Sequence, residues 1–377
     1  MREFEAKNRY FDELFSTKGL YWLGQNTNHL PMHPAVKQAL RDAVEAEEFH
    51  AYAPPAGFEE LRRLILQDLG IEGASVYCTD GAVEGLYIAC RTLAEPGDTF
   101  VTTDPGWKWP VAFTRAAGAK VIEIPIYDPA AKFKLTPAQL EAAVTPTTKL
   151  IYIVDPNNPL GIRYEAQEIE AFCAIAKRAG AYLIHDCTYR HFADGHTLAW
   201  RFYPERTIVT YSFSKWLGLA GLRVGAVVAH PDLIERLAAA PPNTLGGSVI
   251  AQKAAIAGLK IKDSWFPGVQ ALQRRNQDAM RQAVAKVPGL AMPIYPSHGN
   301  FVIIDVTQAG ITPEALVDAY REQGVMIRQG SYHSKTCGHR FVKVSTTVPE
   351  DWSARFCALL PRMAEAARGR NQVGPLF

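Results

Sequence analysis

The stretch Thr210–Gly225, TYSFSKWLGLAGLRVG, sets one lysine, Lys215, among serines and small apolar residues, with Arg223 eight positions later. Lysine favours water, whereas these neighbours favour an interior or a close backbone approach. The stretch leaves one β-branched and aromatic run, TIVTYSF (207–213), and enters another, RVGAVVA (223–229). An amine held at the turn between two strands is either incidental or the centre of a chemistry.

Upstream the same kind of run recurs as TFVTTD (99–104), KVIEIPI (120–126), KLIYIVD (149–155) and AYLIHD (181–186). Helical patterns lie between them, in GAVEGLYIACRTLA, PVAFTRAAG and EAQEIEAFCAIAKRAG. This alternation predicts an α/β fold with a mostly parallel sheet flanked by helices, in which ligands bind beyond the carboxyl ends of the strands. A long helical region over about 247–287 follows. GNFVIIDV and RFVKVSTT then flank a further helix, which predicts a smaller α+β domain. We expect residues 1–45 to form an arm and part of the small domain, 46–270 the large domain and 271–377 the small domain.

The 40 basic and 38 acidic residues are interleaved, with no basic block to follow a nucleic acid, so nucleic-acid partners are not expected. The six cysteines are scattered without a CxxC pair, which predicts neither a metal centre nor a disulfide framework. The opening MREFEAKNRYFDELF lacks the apolar core of a signal peptide, and no run approaches membrane-spanning length. A soluble, cytoplasmic protein is the expectation.

Three strand ends carry chemistry. DPNNPLG (155–161) brings Asn158, HDCTYRHF brings Asp186 and Tyr189, and the opening stretch brings Ser212, Ser214, Lys215 and Arg223. Taken singly, these read as a turn, a helix cap and a surface lysine. Together they would meet at one rim of one sheet, and convergence of ionisable groups is what an active site needs. An amine, a carboxylate, amide and hydroxyl donors and an anion cradle also match the needs of pyridoxal phosphate.

SFSKWLGLAGLRVG resembles the lysine segment of the fold type I pyridoxal-phosphate aminotransferases of class I/II, in the histidinol-phosphate and aspartate aminotransferase branches. NNPLG resembles their N-P-x-G, DCTY their D-x-x-Y, and GAVEGLYIACRTLAEPGD (81–98) the start of their phosphate-binding helix. The resemblance spans essentially the whole chain. It implies a large domain with a sheet of the seven-stranded type, the cofactor pyridoxal 5'-phosphate, and transfer of an amino group between an amino acid or amine and a 2-oxo acid through a Schiff base on Lys215.

It also implies roles. Asp186 pairs with the pyridine nitrogen, and Asn158 and Tyr189 donate to the ring oxygen. Gly81, Ala82 and Val83 bring helix N–H groups to the phosphate, with Ser212, Ser214 and Arg223 completing the cradle. Trp107 stacks on the ring, in preference to Trp109. Tyr52 reaches the cofactor of a partner subunit in a homodimer. WLGQNTNHLP (22–31) lines the substrate entrance through Gly24 and Asn26, and Asn300 opens a small-domain strand.

One position departs from the pattern. Where this class carries an arginine for the substrate carboxylate, RFVKVS has Lys343, which cannot form the paired hydrogen bonds of a guanidinium. Arg340 or Arg328 could supply the fork instead, although strand alternation sets residue 340 on the face opposite 343. The departure leaves open elimination, cyclisation, racemisation or oxidation of an amino acid, for example an arginine-derived one. Histidinol phosphate is not expected as substrate, since the basic residues for its phosphate are not evident. A regulatory relative should have lost Lys215 or Asp186, and a nucleotide-binding α/β enzyme should show GxGxxG or GxxxxGK[ST] after an early strand; neither condition is met.

Overall fold

The computed structural model describes residues 3–239, 241–370 and 373. The N-terminal region comprises α1 (Glu3–Ser16), β1 (Tyr21–Trp22), α2 (Pro34–Glu45) and α3 (Glu59–Leu69). The central region runs β2 (Ser75–Thr79), α4 (Ala82–Leu93), β3 (Thr99–Asp104), α5 (Trp109–Ala116), β4 (Lys120–Pro125), α6 (Pro137–Ala143), β5 (Thr148–Val154), α7 (Ala166–Ala179), β6 (Tyr182–Asp186), β7 (Thr207–Ser212) and β8 (Gly225–Ala229). After α8 (Pro231–Ala238) and α9 (Val249–Val284) come β9 (Phe301–Asp305), α10 (Pro313–Arg321), β10 (Val325–Met326), β11 (Arg328–Gln329), β12 (Phe341–Ser345) and α11 (Glu350–Arg368).

The large sheet has seven strands in the order β2-β8-β7-β6-β5-β3-β4, with β8 alone antiparallel to its neighbours. Its strands are apolar on both faces, as burial beneath helices on both sides requires. Phe100, Tyr152, Ile184, Ile208 and Val227 face the cluster that α4 covers. The alternate residues Val101, Ile151, Leu183, Val209 and Val228 face two clusters on the other side. Each such fully buried side chain contributes about 1.5–3 kcal/mol of transfer free energy.

The expectation of a mostly parallel sheet between helices is met, with two differences of detail. The SVYCT segment forms an edge strand, β2. The last strand begins at Gly225 rather than residue 223, because Arg223 is left-handed (φ 54°) and ends the turn before it. Gly225 must be small: a Cβ there would lie 2.5 Å from the Ala82 backbone nitrogen.

The antiparallel course of β8 positions the site. Strands β5, β6 and β7 end at one rim of the sheet, β2 runs the same way, and reversed β8 begins there, so Arg223 joins the rim. Opposite this rim stands a three-stranded antiparallel sheet, β11-β12-β9. Val342 and Val344 point into a core with Leu316, Tyr320 and Phe356. Alternation turns Phe341 and Lys343 the other way, towards the large sheet. The 36-residue helix α9 packs Ala254 and Ile256 against the first core and Met280 and Val284 against the second. All six cysteines are free thiols, and among the described residues no helix is long and apolar enough to cross a membrane.

Candidate active site

A cavity of about 570 Å³ opens between the rim of the large sheet and the small one. The three strand-end motifs converge in it: Asn158, Asp186, Tyr189, Ser212, Ser214, Lys215 and Arg223 all line its wall. So do Ala82, Val83 and Trp107 from the helical side, and Gly24, Asn26 and Lys343 from the arm and the small sheet. Gly81 stands directly behind, at the N-cap of α4, where a Cβ would run into the Arg223 guanidinium. Tyr52 is 79% exposed on the surface of the single chain and does not line the cavity.

Lys215 sits in the turn after β7, half-buried because the cavity reaches its amine while protein encloses the rest. Nζ donates to the Gln25 carbonyl at 3.2 Å. Burial first, and the Arg223 charge second, pull its pKa down from 10.5 to about 8. Near pH 7.5 that raises the neutral fraction from about one in a thousand to about one in four.

Asp186 lies on the same face of β6 as Ile184, and its carboxylate is firmly held. Oδ2 accepts from the Tyr152 hydroxyl at 2.7 Å. Oδ1 accepts from Thr210 Oγ1 at 2.8 Å, Thr188 Oγ1 at 2.7 Å and the Thr188 N–H at 3.1 Å. Asn26 is left-handed (φ 54°), a conformation asparagine tolerates, and its amide donates to the Tyr189 hydroxyl at 3.0 Å and to Asn158 Oδ1 at 3.4 Å. Lys343 Nζ donates to the same Asn158 oxygen at 3.2 Å. With two donors on Oδ1, the Asn158 NH₂ group must face elsewhere.

The start of α4 forms an anion cradle. Its N-cap is a glycine without a side-chain cap, which leaves the first N–H groups of a 12-residue helix directed at the cavity beside Ser212, Ser214 and Arg223. Arg223 is fixed by bonds to the carbonyls of Ala220 (2.8 Å) and Asp80 (3.1 Å).

On the hidden face of β6, His185, Cys187 and His196 gather with ligand atoms within 4.8 Å. Asp155 meets His185 Nε2 at 3.3 Å and His196 Nε2 at 3.1 Å, while His185 Nδ1 accepts the Ala199 N–H at 3.1 Å. That bond assigns the His185 proton to Nε2, and burial pushes the Cys187 thiol far above its ordinary pKa. The group acts as a brace: Asp155 also accepts the Tyr164 N–H and fixes the turn that carries Asn158.

Several residues at or behind the cavity wall fell outside the motifs. Tyr152 reads as core in the sequence, although its spacing from Val154 and its register beside Ile184 aim it at Asp186. Trp109 lines the cavity along with Trp107, its ring stacked on Phe113 at 6.1 Å. Phe11 and Tyr332 complete an aromatic outer wall. Arg340 is elsewhere, paired with Asp305 at 3.6 Å and lying over Tyr127 at 4.5 Å.

Residues 18–360 match the sequence family described as aminotransferase class I and II. The aspartate aminotransferase of Pyrococcus horikoshii is 27% identical over 350 residues, spanning 89% of this chain and 88% of that one. Histidinol-phosphate aminotransferase 2 of Ralstonia nicotianae is 30% identical over 353 residues, spanning 91% and 89%. Among solved structures, N-succinyldiaminopimelate aminotransferase of Mycobacterium tuberculosis superposes with a TM-score of 0.84 at 26% identity, covering 94% of this chain and 96% of that one.

Proposed function

The chain belongs to the class I and II aminotransferases, enzymes of pyridoxal 5'-phosphate, and from that premise we propose that it moves an amino group between an amino acid and a 2-oxo acid, with Lys215 as the working amine. The observation that carries this reading is Lys215 itself: a desolvated amine of lowered pKa in the cavity that also holds Asp186 and the α4 cradle. The donor set fits the cofactor, since a cradle that a Cβ at Gly81 would obstruct, a buttressed carboxylate and a reactive amine share one wall.

Bound there, pyridoxal phosphate supplies an aldehyde and an electron-withdrawing ring. Lys215 would hold it covalently and, once the substrate's amine had displaced it, would carry the proton from the substrate's α carbon, which a neutral amine can do and an ammonium cannot. Asp186, its position fixed by Tyr152, Thr210 and Thr188, would hold the ring nitrogen. Asn158, oriented by Asn26 and Lys343, and Tyr189 donate to the ring oxygen. The N–H groups at Gly81, Ala82 and Val83, with Ser212, Ser214 and Arg223, would hold the phosphate, and Trp107 would hold the ring. Gly24, Asn26 and Asn158 form the end of the cavity that would meet the substrate, with Lys343 bonded to Asn158 there.

The lowered pKa gives a pH dependence. Capture of cofactor by the apo-protein requires the free amine, so its rate should rise with pH, pass half-maximum near 8 and level off above. A midpoint near 10.5, measured by stopped-flow absorbance, would contradict the desolvated site.

Tyr52, exposed on one chain, supports a homodimer in which its hydroxyl donates to the phosphate in the other subunit's site. Tyr52→Phe should then weaken cofactor affinity roughly tenfold, the worth of one hydrogen bond to a charged group. Unchanged affinity, or a monomer by sedimentation, would remove Tyr52 from the site.

The function is tested by adding single amino acids to the cofactor-loaded enzyme without an oxo acid and following absorbance. A transaminase converts one equivalent and stalls until an oxo acid is supplied. Continued turnover without one would assign the site to elimination, cyclisation, racemisation or oxidation.

A further inference from the structure

Two basic side chains stand together at the carboxylate end of the cavity. Arg328 on β11 is paired directly with Lys343 on β12. Residues opposite one another on antiparallel strands project from the same face, with Cα atoms about 4.5–5.5 Å apart. Both line the cavity, and both are 3% exposed.

Resting on the aminotransferase reading, we propose that Arg328 holds the substrate's carboxylate and that Lys343 is a positioning residue which orients Asn158. The carboxylate anchor has thus moved across one strand, from β12 to the facing place on β11.

The two residues are suited to different tasks. Lys343 Nζ already donates to Asn158 Oδ1 at 3.2 Å and lies 5.3 Å from the centre of the Phe301 ring. As a single-point donor it suits an amide oxygen, and it cannot offer a carboxylate two parallel bonds. Arg328 carries the planar fork that can. Its plane is set by Nε donating to the Gly24 carbonyl at 3.3 Å and by the Tyr332 ring, 4.9 Å from the guanidinium carbon. These contacts tie it to the arm segment at the substrate entrance and to the aromatic outer wall. Arg340 is no rival, being committed to Asp305 and Tyr127.

The electrostatics agree. Lys343 makes no ion pair among the described residues, and Arg328 and Lys215 lie close enough to perturb it. Burial first, then those two charges, drive its pKa well below 10.5. Lys343 is therefore the weaker of the two as a fixed positive charge, and Arg328 the natural anchor for an anion.

The test is binding rather than turnover. Holoenzyme is titrated with 3-phenylpropanoate, which carries the carboxylate and no amine, and the absorbance of the bound cofactor is followed. Arg328→Gln should weaken binding roughly 10- to 100-fold, the loss of charge-assisted hydrogen bonds. Arg328→Lys, which keeps the charge and loses the fork, should weaken it at least about fivefold, and serves if the glutamine variant does not fold. Lys343→Met should weaken binding less than either Arg328 variant does, and should move the pH midpoint of the cofactor's absorbance because Asn158 is released. Wild-type affinity in both Arg328 variants, or a loss in Lys343→Met as large as in either of them, would overturn the proposal. A wild type that binds the carboxylate but converts no amino acid would defeat the transamination reading and leave Arg328 as the anchor. A wild type that does not bind it would defeat the anchor itself.

Discussion

Lys215→Ala should give a folded protein whose amino-group transfer is at least about 10³-fold slower than wild type. Proton transfer by a positioned base contributes typically 10²–10⁴-fold, and covalent capture of the cofactor is lost as well. The fold should survive, because among the described residues the amine bonds only to the Gln25 carbonyl, and it sits near the basic Lys343 and Arg223. The sign of the stability effect follows from linkage. With its pKa lowered from 10.5 to about 8, Lys215 destabilises the folded apo-protein below pH 8, and the cost fades as pH rises from 8 towards 10.5. The alanine variant should therefore gain stability over wild type below pH 8 and lose that advantage above pH 10. Single-turnover absorbance and thermal melts across pH check both halves. Turnover near the wild-type rate would remove Lys215 from the mechanism.

Asp186→Asn should lower the rate roughly 10²- to 10³-fold, the usual effect of deleting one preorganised electrostatic group, while leaving the cavity's shape intact. Asparagine keeps the acceptor for Thr188 and Thr210 but puts an NH₂ against the Tyr152 hydroxyl or the threonines, whose protons now meet at carboxylate oxygens. Some loss of stability should accompany the loss of rate. The two are separable because only the electronic role alters the ring: the absorbance of bound cofactor should shift and its pH dependence change. A variant with a normal spectrum and normal rate, merely less stable, would reduce Asp186 to a structural carboxylate.

The large sheet was legible because parallel strands buried on both faces show as short β-branched runs, and each run before a motif became a strand. The reversal of β8 was not legible, since a strand's alternation is the same in either direction; only the left-handed Arg223 and the close approach at Gly225 mark it. The convergence of Asn158, Asp186 and Lys215 followed from their places just past strand ends. Contributors outside the strand-end motifs were harder to read, and Arg328 stood only as an alternative to Arg340 for the carboxylate. Arg328 sits on a two-residue strand, too short to show a period, and Tyr152 lies inside an apolar run where a hydroxyl gives no sign of its partner. Phe11 belongs to a helix whose route back to the cavity depends on β1 pairing with β10, a contact between residues some 300 positions apart.

The account rests on which amine in this cavity takes the cofactor, since Lys215 and Lys343 are both basic groups on its wall. The most direct measurement is to load the protein with pyridoxal phosphate at pH 8, reduce with borohydride and locate the tagged lysine by peptide mass spectrometry. The account predicts one pyridoxyl group per chain, on the peptide containing Lys215, with Lys343 unmodified. A tag on Lys343, or on no residue within 210–225, would contradict it.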